Sequence, residues 1–220
     1  MRTIWIIIMT MMSCAAQAGP WLRSGGEGFL AVDSIGSVGR DQGDRRYYSG
    51  IYTEYGLNDQ VTLGLHAGQE LYGDAQATIF ARFPIHLDQD EWALAYDIGL
   101  GVDLIREIPE KALSLGISVG RSMQIRQTNG WWSIEAQIRL RAQTGRDLKM
   151  ETTVGVKDKK ERLYILQGFA QKTAGRDWTY ELQPTVVIPL FRNAKLQVGL
   201  SASTEGEGRY GARISTWRRF

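Results

Sequence analysis

The residues with most chemical capacity in this chain are charged, and they recur at every second position. Glu135, Gln137, Arg139 and Arg141 alternate with Trp132, Ile134, Ala136, Ile138 and Leu140, and Lys149, Glu151 and Lys157 share one parity of the next run. At a period of two, residues of one parity stand on one face of a strand. Ionised side chains of mixed sign on neighbouring antiparallel strands have two uses. Matched pairs tie themselves into a salt-bridge network, and unmatched ones line water and bias which ions pass. By the same alternation His66, Arg82, Asp97, Glu181 and Arg213 join Glu135, Arg139, Arg141 and Glu151 as candidates to line an interior.

Catalytic constellations are missing. The chain has two histidines, and neither begins an H-x-S motif: His66 precedes Ala67-Gly68 and His86 precedes Leu87-Asp88. No nucleophile elbow, P-loop or dinucleotide fingerprint occurs. Asp97 with Asp103, or Asp88 with Asp90, are acidic pairs of the kind a protease at a barrel mouth would use, but acidic residues are ordinary at turns and strand ends. The single cysteine, Cys14, lies in the leader, and two separated histidines do not make a zinc set. No metal site, no cofactor and no enzymatic activity are therefore expected.

The elements that must position these residues are strands. Trp92, Leu94, Tyr96, Ile98, Leu100 and Val102 alternate with small or charged residues, as do Trp178, Tyr180, Leu182, Val186 and Ile188, and Leu196, Val198, Leu200 and Ala202. Turn signals such as Thr128-Asn129-Gly130, Asp158-Lys159-Lys160 and Ala174-Gly175-Arg176 separate the runs. The runs predict about twelve strands, near 27–36, 45–56, 61–70, 75–84, 91–103, 112–124, 131–142, 147–157, 161–171, 176–188, 194–203 and 208–219. Residues 161–171 alternate poorly, and Pro184 falls inside a run, where its missing N–H predicts a bulge or a gap in the ladder.

The ends carry addresses. Arg2, the apolar stretch from Ile4 to Met12, and the small-x-small pattern Ala16-Gln17-Ala18 before Gly19 predict a cleaved signal peptide over 1–18 and a mature barrel over 19–220. The mature chain holds no apolar stretch long enough for a membrane helix, so a membrane location requires a closed sheet. A net charge of +2 leaves no electrostatic footprint for nucleic acid.

The terminal Phe220 resembles the last residue of bacterial outer-membrane barrels, which the barrel-assembly machinery reads, although Arg218 stands where such barrels place an apolar residue. The segment from Tyr52 to Gly64, with Glu54-Tyr55-Gly56-Leu57, a turn and Thr62-Leu63-Gly64, resembles a hairpin common in those barrels. Gly19-Pro20-Trp21 followed by Gly26-Glu27-Gly28-Phe29 resembles the mature start of outer-membrane transporters of a phenol-degradation-linked group. The resemblance implies an all-β, antiparallel, up-and-down transmembrane barrel in the bacterial outer membrane, in contact with its lipids and with small solutes. The function it implies is a narrow channel for small polar or ionic solutes. A plugged structural barrel, a lipid-modifying surface enzyme and a soluble periplasmic β-protein are the alternatives.

Overall fold

The computed structural model describes residues 19–39, 45–71, 73–86, 91–105, 107–125, 128–191, 193–204 and 210–220. The leader, with Ala16 and Ala18, lies outside them, as do Asp88 and Asp90. Twelve strands follow in order: β1 (Gly28–Val38), β2 (Arg45–Asn58), β3 (Val61–Glu70), β4 (Ala75–Pro84), β5 (Trp92–Ile105), β6 (Ile108–Ile125), β7 (Thr128–Arg141), β8 (Arg146–Lys157), β9 (Leu163–Lys172), β10 (Trp178–Phe191), β11 (Ala194–Ser203) and β12 (Tyr210–Arg219).

Each strand pairs antiparallel with its sequence neighbours, and β1 pairs with β12, so the sheet closes on itself. Closure leaves no edge with unpaired backbone groups, which is what hydrocarbon demands of a sheet. The seam is tight at its lower end. Gly28 and Phe220 exchange both backbone hydrogen bonds, at 2.7 and 3.1 Å, and a Cβ on Gly28 would lie 2.1 Å from the Phe220 ring.

The apolar parity of every strand points outward. Ile79, Leu100 and Leu200 are 67, 69 and 64% exposed, in the middle of their strands. A belt of this kind is untenable in water and is the stable exterior of a membrane-embedded barrel. Trp92 and Trp132 meet edge to face on this outer wall.

Two local departures from the alternation have physical causes. In β9 both parities are apolar: Tyr164 and Leu166 face out, while Leu163 and Ile165 are buried inside against Trp131 and Val187. The poor alternation of this run reflects an apolar layer inside the barrel. In β10 the pairing with β11 skips Gln183 and Pro184 while the pairing with β9 continues through both, so Pro184 marks a gap on one side of its strand only.

Both barrel ends of the chain, Gly28 and Phe220, lie at one mouth together with the β2–β3 turn. In bacterial barrels this is the periplasmic mouth, and the other faces outward. The chain before β1 does not hang free there. Pro20 is fully buried, Trp21 packs against the Trp131–Leu163–Ile165–Val187 cluster, and the Arg23 backbone N–H donates to Thr62 Oγ1 at 2.8 Å. Residues 19–23 thus fold into the mouth as a stopper, and the exposed residues 24–27 tie it to β2 through backbone hydrogen bonds with Gly56.

Candidate functional site in the lumen

The inward parity of the strands encloses a cavity of about 440 Å³. It runs from Phe29, Ile165 and Trp217 near the periplasmic end to Gln76, Asp147 and Gln171 near the outer end. Its walls carry ionised side chains of both signs, and three networks account for most of them.

The lowest network is buried. Glu54 is 1% and Arg82 3% exposed. Arg82 donates from Nη1 to Glu54 at 2.7 Å and from Nε to Asp97 at 2.8 Å, the latter across the directly paired positions of β4 and β5. Arg23 of the N-terminal stopper donates from Nε to Glu54 at 2.6 Å, and the Tyr52 hydroxyl also donates to Glu54. Each charge is therefore matched and hydrogen-bonded, the condition for holding ions out of bulk water.

The outer network centres on Asp103, which accepts from Arg139 Nε and Arg141 Nε, both at 2.8 Å. Arg139 also donates to Thr78 and Ser114, at 2.8 and 2.9 Å, and Arg141 pairs with Asp147. The third pair joins the two ends of the sheet: Arg213 donates to Asp33 at 2.8 and 2.9 Å, and to Gln183 at 3.2 Å.

A fourth group is less matched. Glu135 and Glu151 stand directly opposite each other on β7 and β8. Glu151 accepts from Gln167 at 2.7 Å and pairs with Lys149 at 3.3 Å, while Glu135 Oε1 is buried with no partner among the described residues. Lys149 lines the cavity with 45% of its side chain exposed, and its Nζ lies 5.2 Å from the Phe169 ring centre.

Of the candidates named from sequence, His66, Arg82, Asp97, Glu135, Arg139, Glu151 and Arg213 line this one cavity. His66 sits beside the Tyr48 hydroxyl, with Nε2 at 3.4 Å. Arg141 is tied to Asp103 and Asp147 near the outer mouth, and Glu181, next to the top of β10, is likewise not part of the cavity wall. His86 is exposed beyond the end of β4, remote from the lumen. Sequence reasoning left out Asp33, Glu54, Asp147 and Arg23. The first three were legible by parity: Asp33 alternates with Val32 and Ser34, Glu54 with Thr53 and Tyr55, and Asp147 shares the parity of Lys149 and Glu151. The fourth lies before the first strand, where no periodicity points inward or outward.

No protein-family model and no curated protein sequence matches the chain. Solved structures do match in fold. The NanC porin superposes with a TM-score of 0.63 at 10% identity, covering 85% of this chain and 98% of that one. The COG4313 outer membrane channel from Pseudomonas putida F1 gives 0.58 at 12% identity, covering 94% and 100%. The KdgM porin in complex with disordered oligogalacturonate gives 0.58 at 7%, covering 86% and 99%. Closed topology, lipid-facing exterior and these likenesses define the class: the chain has the fold of a bacterial outer-membrane β-barrel.

Proposed function

We propose that this barrel is a narrow channel for small polar or ionic solutes across the outer membrane. The observation that carries the reading is the cavity itself: about 440 Å³ of space lined by ionised, amide and aromatic side chains, with Lys149 exposed to it. Where the wall is least matched, at Glu135 and Lys149, water is needed to solvate it. The porins and the channel that share the fold favour the same reading. The leader over 1–18, with cleavage before Gly19, and Phe220 as the residue read by the assembly machinery complete the proposal.

The test is single-channel conductance of the refolded barrel in a planar bilayer, after heat-modifiable gel migration has confirmed folding. Discrete, ion-selective steps are expected. Persistent silence from a folded barrel, with the stopper deleted as well as present, would overturn the channel. A plugged structural barrel is then the second reading, and the N-terminal segment seated between Glu54 and Trp131 is the observation that favours it.

A further inference from the structure

Charge on the outer end of the barrel is sorted by face. Among the described residues, the charged side chains that point outward from the strands at this end are Arg45, Lys111, Arg146 and Lys172, all exposed and all cationic. Their orientation follows from their neighbours: Asp147 and Gln171 line the cavity, so Arg146 and Lys172 face away from it, and buried Glu110 and Ala112 flank Lys111. Of the carboxylates on the strands or strand ends here, Asp103, Glu110, Asp147 and Glu181 take the inward parity, while Asp74, Glu107 and Asp177 lie in the turns above.

None of the four outward cations makes an ion pair with a described residue. Two of them are neighbours. Lys172 pairs with Leu148, and Arg146 lies one step of the same parity beyond it, which makes the two diagonal neighbours about 7–8 Å apart. Trp178 stands directly opposite Lys172 on the next strand and stacks on Tyr180. Directly below lies the apolar belt, with Leu148, Met150 and Leu182 on the same wall. Cations at the top of a lipid-facing wall, beside an aromatic pair, stand at headgroup level with their stems over the acyl boundary. Unpaired cations there attract anionic headgroups.

We infer that the outer rim of β8–β10, built from Arg146, Lys172 and Trp178, is a docking surface for phosphorylated lipid headgroups of the outer leaflet. Two cations at that spacing suit a phosphate between them, and the Trp178 ring gives the first acyl carbons an amphipathic wall. This surface faces away from the lumen and is independent of whether the lumen conducts.

The experiment is native mass spectrometry of the refolded full barrel in detergent micelles, titrated with diphosphorylated lipid A, with its dephosphorylated form, and with inorganic phosphate as competitor. The phosphorylated lipid is expected to bind, and R146Q with K172Q together should weaken it about thirty-fold. Arg218→Gln, an outward cation at the opposite rim, should leave binding unchanged. Equal retention of both lipid forms, or full retention by the double variant, overturns the inference. So does complete displacement by inorganic phosphate, which would mark a site for the free anion. Heat-modifiable migration of every variant keeps misfolding separate from lost binding.

Discussion

Arg82 holds two carboxylates at once, Glu54 and Asp97, and is 3% exposed. Arg82→Met would leave both acids buried without their counter-ion. Breaking a buried pair from one side costs about 3–5 kcal/mol, so the urea midpoint of the refolded barrel should fall accordingly. Lys149 has 45% of its side chain open to the lumen and one ion-pair partner, Glu151, so Lys149→Gln should lower the same midpoint by less than Arg82→Met does. The two residues separate structural charge from charge available to a solute. Lys149→Glu is accordingly the variant for selectivity, with the reversal potential under a salt gradient expected to shift toward cations. Arg139, which sequence parity also offers for that purpose, is fixed by Asp103, Thr78 and Ser114, and reversing it would disturb folding before it reported on ions.

At the scale of elements, the strands were legible and the stopper was not. Period-two runs with turn residues between them gave all twelve strands, because one parity must meet lipid and the other cannot. The run at 161–171 read poorly because Leu163 and Ile165 serve an inner apolar layer, a tertiary demand that overrides the lipid-out rule. Residues 19–27 carry no period, and their place follows only from contacts made far along the chain. Gly56 records one of them: a Cβ there would lie 2.0 Å from the Ser24 carbonyl oxygen. Gly56→Val should therefore lift the stopper while the barrel still closes. Increased protease cleavage before β1, with unchanged gel migration, is the expected outcome, and equal protection in both forms would argue that the segment accommodates the change. Deletion of 19–24 should raise conductance in the same bilayer experiment, since it removes Trp21 and the Arg23 tie to Glu54.

At the scale of the whole molecule, the barrel is polarised. Its periplasmic end is filled by Trp21, Trp131, Leu163, Val187 and Trp217, and its outer end by the Asp103–Arg139–Arg141–Asp147 network with the larger part of the polar wall. Sequence parity distinguishes inside from outside but carries no information on height within the lumen, so this gradient could not be read in advance. Salt should discriminate between the two ends: raising ionic strength screens Arg146 and Lys172 at the exposed rim, while the buried Arg82 network responds little. Lipid retention should therefore fall with salt under conditions where the urea midpoint hardly moves.

The seam between β1 and β12 has a consequence for biogenesis. It is sealed by Gly28 against Phe220 at one level and by Asp33 against Arg213 at another, contacts that span nearly the entire sequence. Until the last strand exists, the growing sheet keeps two raw borders, each a template for pairing with a stranger. Ring closure is thus the most non-local pairing of the fold, and it can come only after the whole sheet is made. A message truncated before Tyr210 would yield a sticky ribbon rather than a smaller pore, and its fate in the cell would be set by chaperones and proteases.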